Sequence, residues 1–386
     1  MVLPVKAAII GCGNVSAQYL AAAPNFQGLE IVACSDLDPA VAAQHGLRAL
    51  DPAALFGDPE IELVINLTVP AAHLAVGLGV LEAGKHLYSE KPLAVGLADG
   101  RRLVETAAAR GLRLGCAPDT FLGGGHQQVR HLIDAGRIGR VVGGSCFVMS
   151  HGMEHWHPNP AFFFRRGGGP ILDLGPYYVA ALINLLGPVR AVAAAATRGQ
   201  DERIVTSAPR FGERITVEVA THVSGVMTFA SGAVVSLSAS WDVWRHEHNR
   251  IELYGTEGSL IAPDPNFFGG AVRVSRRSDP YETIEPDGFA FAAPNSSTGS
   301  GGTHRTNYRS VGAVEMAWAI REGRPHRASA ELALHTLEVL DAFERSATER
   351  RHVAIESDCS RPEPLPRGDG EAVLRNGSTE PQAVPA

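Results

Sequence analysis

An apolar run that leads into a glycine-rich turn constrains the possible folds of this 386-residue chain more than any other feature. Val5 to Ile10 is predicted to form a buried parallel strand. The turn at residues 11–16 follows, and residues 17–23 are predicted to be helical. Gly11 permits a tight turn, and Gly13 lets a pyrophosphate approach the backbone at the start of the helix. This order predicts a dinucleotide-binding unit whose cofactor contacts include Gly11, Gly13, Asn14 and Val15.

An aspartate after the second predicted strand, residues 29–35, indicates which dinucleotide is expected. Asp36 lies near the spacing of the carboxylate that binds the adenosine ribose hydroxyls. A carboxylate there accepts hydrogen bonds from both hydroxyls and repels a 2′-phosphate. Leu37 follows, at a position where an NADP enzyme can carry arginine. NAD is therefore expected and NADP is disfavoured. The alternative role for Asp36 is to cap the next helix, although Asp38 fits that cap better.

Strands and helices alternate through the rest of the first third. Strands are predicted at residues 61–67, 85–88 and 112–117, and helices at residues 71–83 and 97–110. The alternation predicts a doubly wound parallel sheet, the α/β Rossmann class, whose strand C-termini form the ligand-binding edge. For His73, the alternative interpretation is a histidine in the first turn of a surface helix. The residues expected at this edge, with Lys91 reaching both cofactor and substrate, are Thr68, Pro70, His73, Glu90 and Lys91.

The pattern changes after a linking helix at residues 125–135. Predicted strands cover residues 141–150, 191–196, 214–224, 226–230, 233–241, 251–254 and 271–275. Residues 233–241 alternate apolar with small polar side chains, the period of a half-covered antiparallel strand. We therefore expect an α+β domain with a large open, mainly antiparallel sheet. The predicted division is 1–121 for cofactor binding, 122–356 for substrate binding and oligomerisation, and 357–386 for a flexible tail.

Candidate substrate residues are predicted in the second domain. Asp173 and Tyr177, four residues apart on a predicted helix, would be neighbours on one face. The alternative is an aspartate at a helix N-terminus and a buried tyrosine. His155 and Trp156 lie in a predicted loop, where Trp156 can stack on a sugar face. Arg309 follows a long loop and is a further candidate. The histidine spacing in residues 151–160 does not match a zinc motif, so no metal is expected.

Composition excludes several classes of partner. The net charge of −7 and the scattered basic residues give no reason to expect nucleic acid. Five cysteines without a Cys-x-x-Cys pair fit a reducing compartment, and no apolar run is long enough to span a bilayer. A cytoplasmic protein without a membrane partner is expected.

The order of the motifs resembles the glucose–fructose oxidoreductase / inositol dehydrogenase family, often called Gfo/Idh/MocA. The resemblance extends over roughly residues 5–355. Family members commonly carry an aspartate followed four residues later by histidine or tyrosine. Tyr177 differs from the histidine form of the inositol dehydrogenases and resembles the tyrosine-bearing sugar and dihydrodiol branches. The motifs that carry the resemblance lie at residues 11–16, 66–73, 83–92, 120–123, 133–139, 168–170, 254–258 and 323–325.

The resemblance implies NAD(H)-dependent hydride transfer to or from a ring secondary alcohol of a sugar, glycoside or cyclic polyol. Tyr177 would be the acid/base, Lys91 would hold the substrate oxygen and favour the tyrosinate by its charge, and Asp173 would orient both. A homo-oligomer, dimer or tetramer, through the open sheet is also implied. The alternatives are a redox-neutral enzyme that retains NAD and cleaves glycosides, an NADP-dependent biosynthetic keto-sugar reductase, and a cofactor-binding sensor.

Overall fold

The computed structural model describes residues 3–297 and 304–375. Its first sheet has six parallel strands in the order β3-β2-β1-β4-β5-β6. These strands are β1 (Val5–Ile10), β2 (Leu29–Ser35), β3 (Arg48–Ala49), β4 (Leu63–Asn66), β5 (His86–Ser89) and β6 (Leu114–Cys116). The helices between them are α1 (Ser16–Ala22), α2 (Pro39–Ala43), α3 (Pro52–Gly57), α4 (His73–Glu82) and α5 (Leu97–Ala109). The predicted doubly wound sheet is confirmed.

The central strands of this sheet are buried because helices cover both faces. β4 is buried at all four residues, and β1 is buried except at Lys6. Such strands are expected to be continuous apolar runs, which is why the sequence pattern located them well. The reversal of strand order lies between β1 and β4, and ligands of open α/β sheets bind at that point, beyond the strand C-termini.

The second sheet has nine strands in the order β16-β15-β14-β13-β7-β12-β11-β8-β19. Every neighbouring pair is antiparallel except β7 with β12, so the predicted mainly antiparallel sheet is confirmed. Its strands are β7 (Val141–Met149), β8 (Val189–Thr197), β11 (His222–Phe229), β12 (Val234–Ser240), β13 (Ile251–Gly255), β14 (Gly258–Ala262), β15 (Val272–Arg276), β16 (Glu282–Ile284) and β19 (Val353–Ala354). Two short hairpins pair β9 (Glu202–Ile204) with β10 (Arg214–Thr216) and β17 (Ser296–Ser297) with β18 (His304–Arg305).

Helices cover one face of the large sheet and join it to the first sheet. They are α6 (Gly124–Asp134), α7 (Pro170–Asp173), α8 (Gly175–Leu186), α9 (Val311–Glu322) and α10 (Ala330–Glu349). Every residue of α8 is buried. α9 packs back on β1, β2 and β6, and α10 packs on both β8 and α5. The chain therefore returns to the first sheet after the second, and the division into domains at residue 121 stays a prediction.

Residues 357–375 differ from the predicted flexible tail. Their path ends in α11 (Ala372–Arg375), and Val373 and Leu374 are buried. The carboxylate of Glu371 accepts hydrogen bonds from the backbone amides of Gln27 and Gly28 and from the indole of Trp318, each at 2.7 Å. The prediction was wrong for these residues because scattered apolar side chains anchor a polar segment. Residues 376–386 of the predicted tail lie outside the described residues.

All five cysteines are free and buried. Among the described residues, no helix is long and apolar enough to cross a membrane.

Candidate active site

The glycine turn after β1 is held against the neighbouring strand end. Gly11 has φ +95°, and an added Cβ would lie 2.8 Å from the carbonyl of Leu67 and the amide nitrogen of Thr68. At Gly13 an added Cβ would meet no described atom within 4 Å, because this part of the turn faces open space. The hydroxyl of Ser16 donates to the Gly13 carbonyl at 2.7 Å. Serine at the third small-residue position of the motif therefore braces the turn.

Asp36 lies beside this turn at the end of β2. One of its carboxylate oxygens accepts from the backbone amide of Cys12 at 2.7 Å, and the other from the amide of Asp38 at 3.0 Å. Asp38, and not Asp36, caps α2 through the amide of Ala40 at 2.9 Å. Leu37 is fully exposed. The half-buried Asp36 carboxylate keeps lone pairs that can accept from ribose hydroxyls, and its predicted ribose contact stays a prediction.

These features fit a bound dinucleotide. Open space at Gly13 would take the pyrophosphate, and Asp36 would take the adenosine ribose. Asn14 and Val15 are exposed beside Gly13, and Thr68 and Pro70 are half-buried across the crevice. The Thr68 hydroxyl donates to the side-chain oxygen of Asn66 at 2.7 Å, which fixes the loop after β4.

His73 is not a surface histidine, and its predicted contact with the cofactor stays a prediction. It is 1% exposed, and burial lowers the pKa of its ring. Its two ring nitrogens lie 2.7 Å from the carbonyl oxygen of Pro92 and 2.9 Å from that of Thr68. With both nitrogens next to backbone carbonyls, His73 links the loops after β4 and β5.

Glu90 also acts inside the protein. One carboxylate oxygen accepts from the hydroxyl of Tyr19 at 3.0 Å, and the other from the backbone amide of Lys91 at 3.0 Å. Tyr19 belongs to α1, so Glu90 links the cofactor-loop helix to the segment that carries Lys91. The predicted direct contact of Glu90 with the cofactor stays a prediction, because both oxygens retain a further lone pair.

Lys91 reaches from the first domain to the second. Its ammonium donates to the backbone carbonyl of Asp173 at 2.7 Å and to the carboxylate of Asp173 at 2.9 Å. Burial works against the charged form, but Asp173 and the neighbouring Tyr177 outweigh it and raise the pKa of Lys91 above its ordinary value. Lys91 is therefore a fixed cation and not a proton acceptor at neutral pH.

The spacing predicted that Asp173 and Tyr177 lie on one continuous helix, but the structure places them on two helices. α7 ends at Asp173, Leu174 interrupts the helix, and α8 begins at Gly175. Both side chains nevertheless line the same cleft as Lys91. The Lys91 ammonium lies 5.3 Å from the centroid of the Tyr177 ring.

Arg309 makes the direct contact with the tyrosine hydroxyl. Its guanidinium donates to the Tyr177 oxygen at 3.3 Å and to the side-chain oxygen of Asn266 at 3.0 Å. A further donation to Asn307, at 3.0 Å, fixes its position. Burial opposes the charge of Arg309, but Tyr177 raises its pKa overall. Arg309 is therefore a larger part of the site than its local sequence indicated.

The cleft around these groups has a volume of about 1480 Å³. The predicted residues His155 and Trp156 line the cleft and are exposed. Trp244 and Asn266 also line it, and the sequence analysis missed both. A tryptophan in the polar segment after β12 was the available signal for Trp244. No group of three or more His, Cys, Asp or Glu side chains among the described residues could hold a metal ion.

Comparison with family models gives two matches in series. Residues 5–117 match the model described as "Oxidoreductase family, NAD-binding Rossmann fold", and residues 126–261 match the "GFO/IDH/MocA C-terminal domain". The first domain is therefore an NAD-binding Rossmann domain. Together the two matches cover most of the chain.

Individual relatives agree with these models. The chain is 27% identical over 261 residues to a 1,5-anhydro-D-fructose reductase of Ensifer adhaerens, with 66% of this chain and 74% of the relative covered. It is 28% identical over 369 residues to a D-apiose dehydrogenase of Paraburkholderia graminis, with 91% and 90% covered. The solved structure of an NAD binding oxidoreductase from Klebsiella pneumoniae aligns with TM-score 0.78 and 24% identity over 92% of this chain and 100% of the other. The structure of a levoglucosan dehydrogenase in complex with NADH and levoglucosan aligns with TM-score 0.75 and 21% identity, over 92% of this chain and 99% of the other. The two solved structures have the same fold as this chain.

Proposed function

Because the chain belongs to the GFO/IDH/MocA family of oxidoreductases, which act on CH–OH groups, we propose that it is an NAD-dependent dehydrogenase of a ring secondary alcohol. The substrate class is a sugar, a glycoside or a cyclic polyol. One observation carries the proposal: Lys91, Asp173 and Tyr177 line one cleft beside the NAD-binding edge. Relatives named as a D-apiose dehydrogenase and a 1,5-anhydro-D-fructose reductase support a carbohydrate substrate.

The cofactor would be held by the turn at Gly11 and Gly13 and by the Asp36 carboxylate. NAD⁺, when bound, supplies the acceptor for the hydride that leaves the carbinol carbon. Asp36 favours NAD over NADP because its charge repels a 2′-phosphate.

Tyr177 would move the proton. As the tyrosinate it accepts the proton of the substrate hydroxyl while the carbinol hydrogen leaves as hydride, so that the alcohol becomes a ketone. The Arg309 guanidinium donates to the phenolic oxygen at 3.3 Å and can stabilise negative charge that develops there during the transfer. The sequence-based expectation assigned this task to Lys91 alone.

Lys91 would hold the substrate oxygen. Two of its three ammonium protons are directed at Asp173. The third can donate to a substrate hydroxyl and to the carbonyl oxygen that forms from it. Asp173 fixes this direction, and the remaining lone pairs of its carboxylate can accept from a neighbouring hydroxyl.

A homo-oligomer through the open sheet is part of the proposal. The outward positions of β8, β11 and β12 pair small side chains across the sheet, as in the rows Ala193–Val226–Ser236 and Ala195–Ser224–Ser238. A flat face of this kind can pack closely on a second copy. Light scattering of the purified protein gives the oligomeric state, and replacing Val226, which is exposed, by Glu would dissociate the assembly.

The five free, buried thiols support a cytoplasmic location.

The test is to incubate purified protein with NAD⁺ or NADP⁺ and a panel of sugars, glycosides and polyols, and to follow the reduced-nicotinamide absorbance. Net formation of NADH with at least one carbohydrate, and faster reaction with NAD⁺ than with NADP⁺, is the expected result. Product formation without a net change in NADH would favour the redox-neutral glycoside-cleaving alternative. Faster reaction with the phosphorylated cofactor, in the direction of ketone reduction, would favour a biosynthetic reductase.

A further inference from the structure

The cleft extends beyond the groups that would react. Pockets for small ligands usually have volumes of about 300 to 1,000 Å³, and this cleft has about 1480 Å³. The additional wall is built by the loop at residues 151–157, by the β9–β10 hairpin and by the segment after β12. Two tryptophans of this wall, Trp156 and Trp244, line the same cleft as Tyr177.

Trp244 presents an aromatic surface to the cleft. The side chain is 82% exposed, and one of its faces stacks on His151 with an angle of 19° between the rings. Trp156 is 58% exposed. A single exposed aromatic side chain needs no explanation, but two in the cleft that contains the reacting groups form a surface suited to flat, partly apolar rings.

A buried ion-pair cluster fixes this wall. Arg203 of β9 is 2% exposed and pairs with Glu154 at 2.9 Å and with Asp242. It also donates to the backbone carbonyl of Trp241 at 3.2 Å. The hairpin, the loop and the segment that carries Trp244 are thereby joined through one guanidinium. A wall fixed in this way needs little ordering when a ligand binds.

Hydrogen-bonding groups indicate the type of ligand. Arg203 is neutralised by Glu154 and Asp242, and Arg214 pairs with Glu202 at 2.7 Å. Paired arginines offer hydrogen bonds to hydroxyl groups. Arg245 of the same wall is exposed and has no ion-pair partner among the described residues, so the wall also accommodates an anionic group. The paired part of this wall therefore fits a polyhydroxylated ring.

We propose that the substrate is a glycoside of at least two rings, whose second ring stacks on Trp244 while the first reacts at Tyr177. This inference rests on the proposed function, since it assigns the substrate class of the same cleft. The apolar C–H face of a pyranose, or an aromatic aglycone, would lie on the indole.

The experiment measures binding and turnover separately. Isothermal titration of the NADH complex gives dissociation constants for glucose, methyl glucoside, cellobiose, maltose and 4-nitrophenyl glucoside, and NADH formation gives kcat/KM for the same compounds with NAD⁺. At least one two-ring compound should bind about tenfold more tightly than glucose and methyl glucoside. Trp244→Ala should remove that advantage, and Trp244→Tyr should restore most of it.

The control is Phe211→Ala, an aromatic side chain that is 76% exposed and does not line the cleft. It should leave the ratio of two-ring to one-ring affinity unchanged. Equal affinity for one-ring and two-ring compounds, or an unchanged ratio in Trp244→Ala, would each overturn the inference. A changed oligomeric state in Trp244→Ala with an unchanged ratio would assign Trp244 to a subunit contact instead. Absence of turnover with a retained two-ring preference in binding would contradict the proposed oxidation and leave the second subsite supported.

Discussion

The guanidinium of Arg309 donates to the hydroxyl of Tyr177 at 3.3 Å, from a position 132 residues further along the chain. Lys91, by contrast, directs its ammonium at Asp173 and lies 5.3 Å from the centre of the tyrosine ring. We therefore propose separate tasks for the two cations: Arg309 would act on the proton-transferring oxygen, and Lys91 would act on the substrate oxygen.

Arg309→Met should therefore lower turnover. Without the guanidinium, the negative charge that develops on the phenolic oxygen loses a charged hydrogen-bond donor, so kcat/KM should fall about 10- to 100-fold. Arg309→Lys retains a cation and should recover part of this loss. Steady-state kinetics measures both variants. An equal loss of rate in Arg309→Met and Arg309→Lys would show that Arg309 only supports the structure.

Asp36 and Leu37 should determine the choice of cofactor. The double variant Asp36→Ser/Leu37→Arg removes the carboxylate that accepts hydrogen bonds from the ribose hydroxyls. It adds a guanidinium that can donate hydrogen bonds to a 2′-phosphate, and the exposure of Leu37 leaves room for it. The ratio of NADP to NAD affinity should rise about 10²- to 10⁴-fold, the equivalent of two charge-assisted hydrogen bonds. Asp38→Asn is the matched control, because Asp38 caps α2 and should not alter this ratio. Fluorescence titration with NADH and NADPH measures it.

The two glycines of the turn should respond differently to alanine. Gly11→Ala forces a Cβ into φ +95° and to 2.8 Å from the backbone of Leu67, so it should destabilise the fold by about 2 kcal/mol or more. Gly13→Ala places its methyl group in open space and should unfold like the wild type. It should nevertheless lower NADH affinity at least tenfold, or about 1.4 kcal/mol. Unchanged NADH affinity in Gly13→Ala would contradict the assigned path of the pyrophosphate.

Local sequence patterns predicted the first sheet and the glycine turn because their information is contained within short segments. β1 matches its predicted bounds since a strand buried on both faces is mostly apolar, and five of its six residues are apolar and buried. The break between Asp173 and Tyr177 was missed, although Gly175-Pro176 marks a helix start. The contact of Arg309 with Tyr177, the burial of His73 and the anchoring of Glu371 depend on residues distant in sequence, so no local period could indicate them.

Asp119 should make stability depend on pH. It is 2% exposed, and burial raises the pKa of its carboxyl to about 6, although it accepts from the Gly312 amide at 2.8 Å. The folded protein therefore keeps a proton that the unfolded chain releases above pH about 4, and the contribution of this group to stability falls as pH rises from about 4 to 6.

Asn at position 119 cannot ionise and can still accept from Gly312. Asp119→Asn should therefore be about 2 to 3 kcal/mol more stable than the wild type at pH 7.5, with a difference near zero at pH 4. Urea unfolding at several pH values measures this difference. Asp287→Asn makes the same substitution at an exposed position and is the control. A pH-independent difference for Asp119→Asn would show that folding does not shift the pKa of this carboxyl, and would contradict the prediction.

The most direct test of the account is the rate of NADH formation by Tyr177→Phe, with NADH binding measured on the same preparation. Removal of the phenolic oxygen should lower turnover about 10²- to 10⁴-fold, the usual contribution of a general acid or base, while NADH affinity stays close to that of the wild type. Tyr178→Phe deletes the same atom from the next residue, which is buried outside the cleft, and should retain turnover. Near-normal turnover by Tyr177→Phe would contradict the assignment of Tyr177 as the proton acceptor.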